Sequence, residues 1–93
     1  MPKEPIYTLP TVHMNGTGLR TLRETYDAAA DALEDFITKW GGIEFNARDY
    51  YVDGPEAFEA ARTDREAMAG KIRDIRRYLE RHREHLYDQP ERG

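Results

Sequence analysis

Residues 19–40 read LRTLRETYDAAADALEDFITKW, and their apolar or small side chains recur at alternating steps of three and four residues. This spacing lines up one stripe of an α-helix, which is typical of a helix that packs along a partner helix. Gly41 and Gly42 follow directly, and glycine readily adopts the left-handed conformation that ends many helices. The pattern predicts helix 1 over residues 18–40. The stripe consists of Leu19, Leu22, Tyr26, Ala29, Leu33, Phe36 and Trp40.

A second stripe with the same steps predicts helix 2 over residues 55–87. Pro55 suits the first helical position, and Glu56 suits the positive end of the helix dipole. Arg65 and His82 occupy positions of this stripe where apolar residues are usual. We expect Arg65 to extend its guanidinium past a small residue such as Ala29 or Ala30, and His82 to lie where the two helices part. The alternative is that these two polar residues set the register of the helices or face a ligand in an interface. The stripe consists of Phe58, Ala61, Arg65, Met68, Ile72, Ile75, Leu79, His82 and Leu86.

The whole pattern predicts one all-α domain over residues 1–93, an antiparallel two-helix hairpin with an extended N-terminal arm. The arm covers residues 1–17, where Pro10 opposes a helix, and Asn15 or Thr17 is a candidate cap of helix 1. Residues 41–54 form an aromatic loop, and residues 88–93 form a tail.

The predicted helices differ in length, at 23 and 33 residues. Antiparallel pairing from the loop puts Trp40 near Phe58 and Leu19 near Tyr78 or Leu79. The last turns of helix 2 then extend past helix 1 and need a cover, either the arm or a second copy. Because a chain this short builds only a small core, we expect it to form homo-oligomers through its helices.

Composition excludes several classes of function. The chain has no cysteine, which rules out disulfides, thiolate zinc sites and a cysteine nucleophile. A net charge of −4 argues against general nucleic-acid binding. No apolar run approaches the roughly 20 residues of a membrane-spanning helix, and residues 1–5 lack the apolar core of a signal peptide, so we expect a cytoplasmic protein.

No residue pattern indicates catalysis, a metal or a cofactor. The three histidines lack the spacing of a zinc site, and the sequence contains no nucleophile elbow, phosphate loop or dinucleotide motif. The carboxylates lie on helices that offer little concavity. We therefore expect a protein that is not an enzyme and has no cofactor.

The loop motif NARDYY at 46–51 carries the clearest binding chemistry. An arginine grips a phosphate with two hydrogen bonds, tyrosine rings stack on bases, and amide or carboxylate groups bind polar edges. The alternative is structural, with Tyr50 and Tyr51 packed at the open end of the hairpin beside Trp40 and Phe58. Arg48 would then pair with Asp49 or Glu44. The candidate ligand-binding residues of the loop are Asn46, Arg48, Asp49, Tyr50 and Tyr51.

A second candidate site precedes helix 1, where the sequence reads HMNGTG. Free backbone N–H groups at a helix start bind anions, and His13, Asn15 and Thr17 add polar side chains. The alternative is an ordinary capped helix start.

The two motifs together resemble a group of small helical proteins encoded by tailed phages and prophages. That group shows His-Leu-Asn-Gly-Thr, an amphipathic helix, Asn-Gly-Arg-Asp-Tyr-Tyr and a second helix. Here Met14 stands in place of leucine and Ala47 in place of glycine. The resemblance spans nearly the whole chain and implies a phage origin without implying a specific chemistry.

Binding residues without a catalytic set favour a non-catalytic protein that sequesters a small nucleotide-like signal of bacterial immunity, as some small helical phage proteins do. The alternative is a phage protein that acts through protein contact, as an inhibitor of host defence or a virion or assembly accessory. Within one hairpin the two motifs lie about 30 Å apart, so a shared ligand requires a second copy.

Overall fold

A computed structural model describes residues 6–90 and confirms an all-helical hairpin, with no strand in that range. Helix α1 spans Leu19–Gly41 and helix α2 spans Ala57–Tyr87. Two single-turn 3-10 helices, Ala47–Asp49 and Tyr51–Asp53, form most of the connection. The predicted helix bounds differ from these by one or two residues. Residues 1–5 of the predicted arm and 91–93 of the predicted tail lie outside the described residues.

Neither helix starts in the way the sequence predicts. Gly18 precedes α1 in an extended conformation, and no side chain bonds to the first N–H groups, so the predicted caps Asn15 and Thr17 are wrong. Helix α2 begins two residues after Pro55, because a turn in which the Ala57 N–H donates to the Gly54 carbonyl comes first. Gly54 has a φ of 111°, which a residue with a side chain rarely adopts.

The two helices pack antiparallel, but the predicted register is wrong by about three helical turns. Arg23 near the start of α1 bonds to the carbonyl of Leu86, whereas the sequence pattern paired Leu19 with Tyr78 or Leu79. The reason is the loop, which folds back on the first turns of α2 instead of leading straight into the pairing. Its Phe45 ring lies 5.1 Å from the Phe58 ring, and Trp40 consequently lies beside Arg65.

The best-buried residues lie near the carboxyl end of α2, where the sequence pattern expected the helix to extend past helix 1 and to be covered by the arm or a second copy. Leu86 is 0% exposed and His82 is 1% exposed. The N-terminal arm supplies part of the cover, since its Tyr7 ring packs edge-on against Tyr78 at 5.3 Å. The His85 Nε2 atom donates to the carbonyl of Pro10 at 2.7 Å. The chain therefore closes its core with its own arm.

The remainder of the hairpin has two different sides. On one side ion pairs join the helices, from Asp27 to Arg83 at 2.8 Å and from Glu34 to Arg76 at 2.7 Å. The other side carries apolar residues that stay about half exposed, and we call it the apolar face. Its members are Phe36, Met68 and Ile75.

Candidate functional site

Aromatic side chains hold the loop against the start of α2. The ring centroids of Phe45 and Tyr50 lie 5.6 Å apart, and those of Tyr50 and Phe58 lie 6.0 Å apart. Together with the Phe45–Phe58 contact these three rings form the aromatic cluster. Aromatic pairs in this range stabilise a packed arrangement. Tyr50, a candidate ligand-binding residue, thus lies inside a packed cluster and offers little free ring surface.

Arg65 extends the aromatic cluster towards the end of α1. Its guanidinium carbon lies 4.4 Å from the Trp40 ring and 5.1 Å from the Phe45 ring, both within cation–π range. Its Nη2 atom also lies 3.5 Å from the Trp40 carbonyl oxygen. The expected position beside Ala29 or Ala30 is therefore wrong, because the register shift brings Arg65 to Trp40 instead.

A shallow groove of about 490 Å³ runs along this end of the hairpin. It combines three aromatic side chains with two arginines, and both residue types are enriched at the cores of protein interfaces. The sequence patterns did not predict this groove. Two features of the sequence were consistent with it, namely Arg65 within an apolar stripe and the single tryptophan, Trp40, before two glycines. Its lining residues are Trp40, Phe45, Phe58, Arg62, Arg65, Glu66 and Ala69.

The rest of the loop motif faces outward. Tyr51 is 67% exposed and Val52 is 81% exposed. Arg48 and Asp49 are also exposed, whereas Asn46 is half-buried. Within residues 6–90 no ion pair or hydrogen bond engages the Arg48 side chain, so the carboxylate pairing that the structural alternative expected is absent.

The motif at the other end of α1 forms a turn. The Gly16 N–H donates to the His13 carbonyl at 3.2 Å, and the His13 ring lies over Gly16 so closely that a Cβ there would be 2.8 Å from Nε2. Because the His13 ring is exposed and can rotate, a side chain at position 16 would require only a shift of this ring. The side chains of His13, Asn15 and Thr17 are all exposed.

A second groove of about 450 Å³ lies beside this turn. No lysine or arginine from residues 6–90 lines it, so this part of the chain supplies none of the cations that usually hold a phosphate. The first candidate region, at the loop, lies at the opposite end of the 23-residue α1, about 34 Å away along the helix. One chain does not bring the two motifs together. The groove is lined by Val12, His13, Met14, Leu19, Gln89 and Pro90.

His82 lies among three tyrosines in a cluster that sequence reasoning missed. The ring stacks on Tyr26 at 5.0 Å and lies tilted against Tyr78 at 4.1 Å, with Tyr7 of the arm at 6.3 Å. The His82 Nδ1 atom lies 2.8 Å from the Tyr78 carbonyl, which only accepts, so Nδ1 carries the hydrogen. Burial and the hydrogen bond with Tyr78 raise the pKa of Tyr26. The cluster joins the arm to both helices and serves packing.

Asp27 is the carboxylate most strongly held in its charged form. The Tyr87 hydroxyl and the Arg83 guanidinium both donate to it, and these contacts lower the pKa of the Asp27 carboxyl below its usual range. A group held ionised in this way acts as a structural acceptor and not as a proton donor at neutral pH.

In the part of the chain from residue 6 to residue 90, no three histidine, aspartate or glutamate side chains lie close enough together to hold a metal ion. Neither α1 nor α2 has both the length and the apolar character that crossing a membrane requires.

No protein-family model, curated protein or solved structure matches this chain.

Proposed function

We propose that the protein is a non-catalytic binding protein that acts through contact with another protein at the loop end of the hairpin. The observation that carries this proposal is the exposure of Tyr51 and Val52 at the end of the hairpin where the aromatic and arginine groove also lies. Aromatic and arginine side chains are enriched at the energetic centres of protein interfaces. We call Arg48, Tyr51, Val52 and this groove the loop-end surface.

The shape of the loop end favours a protein over a small molecule. Pockets that hold small ligands enclose most of the ligand surface. The groove beside Arg65 is shallow, and two of its aromatic rings, Trp40 and Phe45, already contact the Arg65 guanidinium. A protein partner covers such a shallow surface better than a small molecule does. The resemblance to phage-encoded proteins supports a phage-type role for this contact, as an inhibitor of a host defence protein or an accessory of virion assembly.

One observation favours a second candidate function, the sequestration of a nucleotide-like anion. Arg48 is exposed with no ion pair or hydrogen bond from residues 6–90, and the exposed Tyr51 ring lies three residues further on. The guanidinium suits a phosphate and the ring suits a base. This function needs the ligand to be enclosed by a second chain, because the loop alone leaves both side chains open to water.

The experiment for the leading proposal compares proteins retained from a lysate of the source cells by immobilised variants. The double variant Tyr51→Ala, Val52→Asp should lose a partner that the unaltered protein retains. The matched control is Ile6→Asp, which alters an almost fully exposed apolar residue in the arm and should retain the partner. Equal retention by the loop variant would remove the loop-end surface from consideration.

The second candidate is tested with the purified protein and a panel of cyclic dinucleotides and cyclic ADP-ribose isomers. A bound ligand at about 100 times its dissociation constant should stabilise the fold by about 2.7 kcal/mol, and Arg48→Ala should abolish the effect. If no compound of the panel shifts the melting temperature of the protein, protein contact stays the proposed function of the loop end.

A further inference from the structure

The apolar face has no cover from the described part of its own chain. Phe36, Met68 and Ile75 are 49%, 43% and 52% exposed. The Glu34–Arg76 ion pair places Phe36 and Ile75 at about the same level of the hairpin, since Phe36 follows Glu34 by two residues and Ile75 precedes Arg76 by one. Met68 lies on the same face of α2, two turns before Ile75. Helical geometry then turns them away from the ion pairs and onto one side of the molecule. The arm packs over Tyr78 and His82, which leaves this middle section open.

The chain exposes far more surface than a compact protein of its mass. Its accessible surface is 7733 Å², whereas a compact 10.8 kDa monomer exposes about 5,500 Å². Its radius of gyration is 19.0 Å, against about 12 Å for a compact chain of this length. The excess of about 2,200 Å² exceeds the roughly 800 Å² that one partner buries in a standard protein interface. The surface that a stable dimer needs is therefore available.

Charges beside the apolar face indicate how a second copy would lie. Lys71 and Asp74 lie on α2 between Met68 and Ile75, and both side chains are exposed. Neither forms an ion pair within residues 6–90. When two copies of α2 run antiparallel about a point midway between these residues, each Lys71 meets the partner's Asp74. A parallel arrangement would place the partner's copies of these residues on the opposite flank of the contact and would lose this pairing.

We propose that a second copy of this chain covers the apolar face, with the two α2 helices antiparallel, so that the dimer is a four-helix bundle. Two hairpins that bury one apolar side each are a standard way to build such a bundle. The twofold contact is self-complementary, with Met68 near the partner's Ile75 and Lys71 near the partner's Asp74. This inference goes beyond the proposed function, because it places the two loop-end surfaces at opposite ends of one elongated dimer and makes the protein bivalent.

The first test measures mass by light scattering and sedimentation over a range of concentrations. The unaltered protein should have about twice the mass of the 10.8 kDa chain at micromolar concentration. Ile75→Lys and Met68→Lys should each raise the dissociation constant at least about tenfold, a change of about 1.4 kcal/mol. Because both side chains are about half exposed, we expect both variants to fold. Far-ultraviolet circular dichroism identifies any variant that loses its helices. The matched control Val52→Lys, an equal change on the loop end, should leave the dimer intact.

The second test addresses the orientation of the two copies. Lys71→Glu should weaken the dimer, because it places two acidic groups together, and Lys71→Glu combined with Asp74→Lys should restore it. A Lys71→Glu variant that dimerises as well as the unaltered protein would overturn the antiparallel contact. A 10.8 kDa monomer at sub-millimolar concentration would overturn the dimer itself. A dimer that survives both Ile75→Lys and Met68→Lys would overturn the apolar face as its interface.

Discussion

The guanidinium of Arg23 on α1 bonds to the carbonyl of Leu86 on α2, with 3.0 Å between Nε and the oxygen. Its Nη2 atom donates to the carbonyl of Gln89 at 2.9 Å, and the Tyr87 ring lies 4.7 Å from the guanidinium carbon. The last carbonyls of a helix have no donors within the helix, so a cation from another element stabilises them. This contact joins the start of one helix to the end of the other and holds the hairpin in register.

Removing this guanidinium should destabilise the hairpin. Arg23→Ala is expected to lower the free energy of unfolding by about 1.5–3 kcal/mol, because hydrogen bonds from a charged donor to two carbonyls are lost. Urea unfolding followed by circular dichroism measures the change. Arg20→Ala is the matched control, since Arg20 is exposed one turn earlier on the same helix and should change the free energy by less than about 0.5 kcal/mol. Equal effects of the two variants would contradict a specific role for Arg23.

Leu86 should be the most sensitive apolar position of the chain. Because its side chain is fully buried beneath the junction of both helices, Leu86→Ala is expected to cost about 2–5 kcal/mol through the cavity that it leaves. Chemical unfolding again provides the measurement. Ile6→Ala, at an almost fully exposed isoleucine, should leave stability unchanged. A small effect at Leu86 would mean that this end of the hairpin is not the core.

The contribution of Asp27 should depend on pH. Its pKa is lowered in the folded state, first by the Tyr87 hydroxyl and then by Arg83, so its stabilisation is complete above the unfolded-state pKa of about 3.9. This stabilisation is lost as the pH falls through the lower folded-state value. Asp27→Asn should therefore be less stable than the unaltered protein at pH 7, by about 1 kcal/mol or less, and equally stable at strongly acid pH. Unfolding curves across this range test the prediction, which a gap independent of pH would contradict.

The fluorescence of the single tryptophan, Trp40, should change when Arg65 is replaced. Arg65→Ala removes the cation from the Trp40 and Phe45 rings and is expected to shift the Trp40 emission and to cost about 1 kcal/mol. Arg62→Ala is the control, because Arg62 is exposed and pairs with Glu59 on its own helix. Fluorescence spectra and unfolding curves of both variants provide the comparison. An unchanged emission spectrum for Arg65→Ala would contradict the stacked position of the guanidinium.

The sequence by itself determined that the chain forms two helices and where each lies within one or two residues. Steps of three and four between apolar residues specify a helix face, and Gly41 with Gly42 marks the end of the first one, because both are local properties of the backbone. It also located the loop motif and the turn before α1 at opposite ends of the molecule. The functional candidates derived from those motifs stay predictions.

Only the tertiary structure decided how the helices pair. A heptad pattern permits several antiparallel registers, since a shift by whole turns keeps apolar residues opposite apolar residues. The register was chosen by contacts between residues far apart in sequence, namely Phe45 on Phe58, Arg23 on the end of α2, and the arm over His82. Burial of His82 and exposure of Met68 follow from that choice, because packing energy depends on which side chains meet and not on the period at which they recur.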